Sequence, residues 1–92
     1  MKKNVSTNEV KKMYDLCRQY DVFKPWLTEN GYAIEDLPLA AENEDGEAVI
    51  LQIAGTDERG DPIFEMTTAQ SNGWLRINYY YRDGTVEETY KR

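Results

Sequence analysis

The sequence predicts an α+β domain in which two N-terminal helices pack on one face of a four-stranded antiparallel β-meander. Two observations lead to this prediction. Apolar residues recur at helical spacing in the first third of the chain, and strand-like segments separated by Asn72-Gly73 and Asp83-Gly84 fill the second half. The chain has 92 residues, 40% of them hydrophobic, which is enough for one small core. We therefore expect a single domain over residues 1–92.

The two helices are predicted over residues 7–20 and 22–30. Ser6 and Glu9 have the spacing of a capping box, in which each side chain bonds the backbone N–H of the other residue. An apolar stripe then follows at helical spacing, comprising Val10, Met13, Tyr14 and Cys17. In the second helix Pro25 falls in the first turn, where its missing N–H does little harm.

Four strands are predicted, over residues 47–54, 62–69, 74–82 and 85–91. The first is an apolar run rich in β-branched residues, and the others alternate between apolar and polar side chains. Before the first strand, residues 40–46 are predicted to form an acidic loop, because they combine carboxylates with a turn glycine.

The two Gly-containing turns set the predicted register. If each is a two-residue hairpin turn, Tyr81 pairs with Val86 in one hairpin and with Phe64 in the other. Both hairpins then direct the odd-numbered side chains of the shared strand towards the helices. The same register places Glu88 on the core side, where a partly buried carboxylate needs a hydrogen-bond donor.

The face of the sheet away from the helices is predicted to be a mixed aromatic and polar surface. The register places Tyr80 between Glu65 and Glu87 on this face, with Trp74 nearby. Tyrosine and tryptophan give a large contact area at small entropic cost, so this face is a candidate partner-binding surface. The alternative is that Tyr80 only covers the neighbouring strands.

A long segment whose charged side chains are all acidic is the main functional feature of the sequence. From Pro25 to Glu58 the chain has nine carboxylates and no lysine or arginine, and its formal net charge is -6. Such a field repels nucleic acid and anionic membranes and attracts basic surfaces. We predict that the partner is a basic surface of another protein, with no direct binding to nucleic acid or membrane. The predicted acidic contact residues are Glu35, Asp36, Glu42, Glu44, Asp45 and Glu47.

Several chemistries are not expected. The chain has no histidine, which removes the usual neutral-pH base and most zinc sites. Its single cysteine, Cys17, lies on the apolar stripe of the first helix and is expected to be buried. An EF-hand fails because Ala41 and Gln52 occupy positions that require carboxylates. We therefore predict no catalytic residue, no cofactor and no metal site, with a weak divalent site among the residues 42–45 as the minor alternative. Without a signal-peptide core or an apolar span, we expect a cytoplasmic protein.

In general character, being small, acidic, histidine-free and without a catalytic constellation, the chain resembles phage-type anti-defence proteins such as anti-CRISPRs. This resemblance rests on no motif and implies no particular functional position. It implies an inhibitor whose carboxylates take the places of phosphates on a nucleic-acid-binding protein. The alternative is a structural or assembly module that self-associates as a homodimer through the exposed sheet face or an edge strand. A small enzyme is a third hypothesis, which requires a pocket around Glu88 or Cys17.

Overall fold

The chain folds into two helices followed by five antiparallel strands, in a computed structural model that describes residues 5–92 apart from the side chain of Asp36. The helices are α1 (Thr7–Leu16) and α2 (Tyr20–Glu29), followed by a short 3-10 helix (Ile34–Asp36). The strands are β1 (Leu39–Glu42), β2 (Ala48–Thr56), β3 (Pro62–Ala69), β4 (Leu75–Tyr80) and β5 (Val86–Lys91). Their order in the sheet follows the chain, so each connection between strands is a hairpin. The predicted α+β meander under two helices is confirmed, with five strands in place of four.

The additional strand is β1, which lies where the sequence predicted an acidic loop. Leu39 pairs with Leu51 and Glu42 with Ala48, so the loop prediction for residues 40–46 is wrong in its first half. Leu39 is buried, but the next residues are alanines and a carboxylate, and such a short segment has no recognisable alternation. The strand forms because the adjacent hairpin turn brings it against β2.

Helix α1 begins as its capping signal indicates. The Ser6 hydroxyl accepts a hydrogen bond from the Glu9 backbone N–H at 3.2 Å, and the Glu9 carboxylate accepts one from the Ser6 backbone N–H at 3.3 Å. The capping box is therefore confirmed. However, α1 ends at Leu16, and α2 starts at Tyr20, so Pro25 lies in the second turn and not in the first.

All four hairpins are closed by the same turn. A backbone N–H bonds the carbonyl four residues further on, from Asn43 to Glu47, Asp57 to Asp61, Gln70 to Trp74 and Tyr81 to Thr85. Each loop therefore has three residues, and each ends in a glycine with φ between 75° and 89°. This is the three-residue hairpin with a glycine bulge, which is one residue longer than the predicted turn.

The longer turns change the predicted register on β4. Tyr80 pairs with Val86 on one side and with Phe64 on the other, so the predicted partner Tyr81 is wrong by one residue in both hairpins. Even-numbered residues of β4 face the helices, and Tyr80 is only 3% exposed. Tyr79 and Tyr81 lie on the opposite face, because a shift of one residue exchanges the two faces of a strand.

The core lies between the helices and the covered face of β1 to β4. Phe23 on α2 meets Phe64 edge-on, with ring centroids 5.1 Å apart. At the edges of the core, the Tyr20 hydroxyl donates to the Pro62 carbonyl at 2.8 Å. The remaining buried apolar residues are Val10, Met13, Cys17, Leu27, Tyr32, Leu39, Val49, Leu51, Met66 and Tyr80. The helices leave β5 uncovered. Within residues 5–92, neither helix is long and apolar enough to cross a membrane.

Candidate protein-binding surfaces

The hairpin that joins β1 to β2 presents three carboxylates to solvent, and we call residues 42–47 the acidic hairpin. Glu42, Glu44 and Asp45 are all exposed. The turn beneath them is fixed by Asn43, whose side-chain oxygen accepts hydrogen bonds from the backbone N–H groups of Asp45 at 3.0 Å and Glu47 at 2.9 Å. The carboxylates therefore project from an ordered backbone, which lowers the entropy lost when they bind a partner.

Glu47 has a structural role within the acidic hairpin. Its carboxylate accepts hydrogen bonds from the Asn43 side-chain amide at 2.9 Å and from the Ser71 backbone N–H, also at 2.9 Å. These two bonds hold the pKa of Glu47 below its ordinary value of 4.5. They also join the acidic hairpin to the turn between β3 and β4. Glu47 is therefore already engaged within the chain, unlike the three exposed carboxylates.

The exposed carboxylates are only weakly neutralised by neighbouring cations. The Lys11 ammonium lies 3.6 Å from a Glu44 carboxylate oxygen, but both side chains are more than 60% exposed. Water and salt screen such a pair, so it contributes little. Within residues 5–92, the side chains of Glu42 and Asp45 make no hydrogen bond or ion pair.

A groove of about 260 Å³ separates the acidic hairpin from α1. At its base the Arg76 guanidinium lies 5.9 Å from the centre of the Tyr14 ring, and the Arg76 Nε is buried without a hydrogen-bond acceptor. The predicted register had placed Arg76 on the other face of the sheet. The Tyr14 hydroxyl shares a 2.8 Å hydrogen bond with the buried Thr68 hydroxyl, which fixes the ring against the sheet.

The predicted acidic contact residues do not form one patch. Glu35 is exposed in the 3-10 helix that precedes β1, at the opposite end of this strand from Glu42. A four-residue strand separates its ends by about 10 Å. The Asp36 side chain lies outside the described residues. The one-signed segment of the sequence is therefore divided between two ends of the sheet, and only the acidic hairpin gathers three exposed carboxylates in a few consecutive residues.

At the other end of the sheet, carboxylates stabilise a turn. Asp57 accepts hydrogen bonds from the backbone N–H groups of Arg59 at 2.8 Å and Asp61 at 2.9 Å. Asp61 in turn lies 2.6 Å from the Arg82 guanidinium. Asp57 and Asp61 are therefore engaged within the chain, and we regard this end of the sheet as a weaker candidate for binding a basic partner.

The face of the sheet without helices, here the outer sheet face, differs from the prediction on β4 alone. Glu65 and Glu87 lie on it as predicted, and the residue between them is Tyr79. The prediction that Tyr80 belongs to this face is wrong, because Tyr80 is buried in the core. Glu65 accepts a hydrogen bond from the Gln52 side-chain amide on β2. Three-residue turns in the predicted hairpins would have placed Tyr79, and not Tyr80, on this face.

Trp74 follows the turn between β3 and β4 and is 37% exposed. The Arg92 guanidinium lies 5.4 Å from the centre of its ring. Because Ser71 in the same turn bonds Glu47, Trp74 lies at the same end of the sheet as the acidic hairpin. An exposed aromatic side chain thus lies at the same end of the sheet as three exposed carboxylates.

The two residues of the enzyme hypothesis, Glu88 and Cys17, differ in their exposure. Glu88 is on the helix side of the sheet, as predicted, but it is exposed because the helices do not extend over β5. Its carboxylate accepts a hydrogen bond from the Tyr90 hydroxyl at 2.7 Å. Cys17 is 2% exposed, and burial raises the pKa of its thiol, which disfavours the reactive thiolate. In the part of the chain that the structure describes, no three potential ligands are placed to hold a metal ion.

Comparison with known proteins identifies no relative of this chain. No protein-family model matches the chain, and neither a curated protein nor a solved structure has significant similarity to it.

Proposed function

We propose that this chain is a non-enzymatic binding module whose acidic hairpin docks on a basic surface of another protein. The observation that carries the proposal is the grouping of Glu42, Glu44 and Asp45, three exposed carboxylates on an ordered turn with one weak ion pair, between Glu44 and Lys11. A basic protein site can pair with all three carboxylates, whereas within residues 5–92 only Glu44 among them has an ion-pair partner.

The specific form of the proposal is inhibition of a nucleic-acid-binding protein by phosphate mimicry. Such a protein carries a basic site that already accepts closely spaced negative charges. A chain with formal net charge -6 is drawn to that site by long-range attraction, which gives fast association and strong dependence on ionic strength. Trp74, at the same end of the sheet, supplies aromatic contact area beside the charges.

The experiment is affinity capture with the tagged chain from a bacterial lysate at low and at high salt. A hairpin variant replaces Glu42, Glu44 and Asp45 by lysine and keeps Glu47, because Glu47 holds two turns together. The matched control variant replaces three exposed carboxylates elsewhere by lysine, at Asp15, Glu29 and Glu58. Each reversal changes the charge by +2, so both variants move the formal net charge from -6 to 0.

We expect the unaltered chain and the control variant to retain the same basic protein at low salt, and the hairpin variant to lose it. The captured protein is then purified, and its nucleic-acid binding is titrated with this chain. Competitive loss of nucleic-acid binding supports mimicry. Equal loss of capture by both variants would instead show that net charge, and not the acidic hairpin, governs the interaction, and would overturn the proposal.

A further inference from the structure

The last strand, β5, is an open edge of the sheet. It pairs with β4 on one side, and no strand within residues 5–92 pairs with its other side. The helices do not cover it, so every residue from Glu87 to Lys91 is exposed. An exposed edge of six residues presents unpaired backbone groups to solvent and can pair with another strand.

The backbone groups that face this edge can be assigned from the hairpin. The Tyr81 N–H bonds the Thr85 carbonyl at the turn, and hydrogen-bonded pairs alternate along an antiparallel ladder. Thr89, which pairs with Ile77, therefore directs its N–H and C=O towards β4. Glu88 and Tyr90 direct theirs to the free edge.

The side chains of β5 are complementary to themselves about Thr89. Two places before Thr89 is Glu87 and two places after it is Lys91, while its immediate neighbours are Glu88 and Tyr90. We propose that β5 pairs antiparallel with β5 of a second copy of this chain, around a two-fold axis that passes beside Thr89. This inference goes beyond the proposed function and does not depend on it.

In this arrangement Glu87 of each copy lies opposite Lys91 of the other, on the outer sheet face. On the helix side Glu88 lies opposite Tyr90, the type of pair that already shares a 2.7 Å hydrogen bond within one copy. The same Glu88 and Tyr90 carry the backbone groups that face the edge, so the side-chain complementarity and the backbone hydrogen bonds agree on one register.

Other registers and the other edge are less suitable. A two-fold axis at Glu88 places that carboxylate opposite itself, and an axis at Tyr90 places Lys91 opposite Thr89 and not opposite Glu87. The edge strand β1 has only four residues and ends in Glu42. Charges on an edge strand usually deter pairing. On β5 both signs are present, and the axis at Thr89 brings opposite signs together.

The first test is a charge swap, measured by sedimentation equilibrium over a range of protein concentrations. Lys91→Glu places like charges opposite each other twice, and we expect roughly tenfold weaker dimerisation from two such cross-strand pairs. The double variant Glu87→Lys with Lys91→Glu restores opposite charges and should restore the dimer. Lys12→Glu, on the exposed side of α1, makes the same charge change as Lys91→Glu and should leave dimerisation unchanged.

The second test removes a backbone donor at the free edge. Tyr90→Pro deletes an N–H that points away from β4, and proline is tolerated at such edge positions. We expect a monomer whose thermal unfolding remains cooperative. Should Tyr90→Pro prevent folding, the charge swap decides. A wild-type chain that stays monomeric at its highest soluble concentration, or a dimer that Lys91→Glu leaves unchanged, would overturn the inference.

Discussion

Tyr79 and Tyr80 are adjacent tyrosines on opposite faces of β4, so replacing each by alanine tests the register of the sheet directly. Tyr80 is 3% exposed and lies in the core, whereas Tyr79 is half-buried on the outer sheet face. Truncating a buried aromatic residue to alanine costs about 3–5 kcal/mol, because it loses transfer free energy and leaves a cavity. Tyr79→Ala loses only cross-strand contacts, and we expect it to cost about 1 kcal/mol.

These costs are large relative to the stability of a chain of this size. A domain of 92 residues has a free energy of unfolding of about 5–14 kcal/mol. Each kcal/mol lowers the Tm of such a domain by about 4–8 °C, so Tyr80→Ala should lower it by at least about 12 °C. Urea unfolding followed by circular dichroism, with equal m-values for the two variants, gives the same comparison in free energy.

Tyr80→Phe serves as the control, since it keeps the ring and removes only the hydroxyl group. Its cost should fall well below that of Tyr80→Ala, because the ring still fills its place in the core. Two-residue turns would put Tyr79 in the core and reverse the order of the two alanine variants. A larger destabilisation from Tyr79→Ala than from Tyr80→Ala would therefore refute the register and the three-residue turns that produce it.

Three further predictions concern single contacts. Tyr14→Phe leaves the Thr68 hydroxyl buried without its partner, so a double-mutant cycle with Thr68→Val should give a coupling of about 1 kcal/mol in urea unfolding, and independent effects would contradict the bond. Gly84→Ala at φ 89° meets no atom within 4 Å, so we expect only a backbone strain of about 1–2 kcal/mol; no loss in Tm would contradict the positive φ. The pKa of Glu47 is lowered in the folded state, first by its hydrogen bond from Asn43, so the ionised carboxylate stabilises the fold at pH values above its ordinary pKa. This stabilisation is lost as the pH falls through the pKa of Glu47 in the folded state. Glu47→Gln should therefore lose less stability than the unaltered chain on acidification, and parallel pH profiles would contradict this linkage.

Local signals were sufficient to predict the helices and most of the strands. The capping box at Ser6 and the stripe of apolar residues act within a few positions, so they could be recognised before any tertiary contact was known. The side chains of β3 and β5 that lie on the helix side of the sheet were also predicted correctly, although those of β4 between them were not. The prediction gave both hairpins a two-residue turn, which is one residue too short. The two resulting register errors cancel between β3 and β5, but they exchange the two faces of β4. Agreement between the hairpins was therefore no independent test of register.

The remaining errors concern features that depend on tertiary structure. Strand β1 has four residues and exists because the acidic hairpin pairs it with β2, so its own sequence carries little signal. The distribution of the carboxylates was likewise not visible in the sequence, where Glu35 and Glu42 belong to one continuous segment. An antiparallel strand between them carries them to different ends of the sheet, and hydrogen bonds remove Glu47 from the free charges.

The two proposed interactions use opposite edges of the sheet and are compatible with each other. Residues 86–92, which comprise β5 and Arg92, carry two acidic and two basic side chains, so this segment is locally neutral in a chain of net charge -6. The acidic hairpin lies on the β1 edge, four strands away from β5. In a dimer joined at β5, ten strands would form one sheet, and the two acidic hairpins would lie about 40 Å apart across the strands at a spacing of about 4.8 Å, at opposite ends of the sheet. Dimerisation would therefore leave both acidic hairpins open to partners, and it would raise apparent affinity only for a partner with two basic sites at that separation. Tyr90→Pro and the lysine variant of the acidic hairpin should consequently fail in different assays, the first in self-association and the second in partner capture.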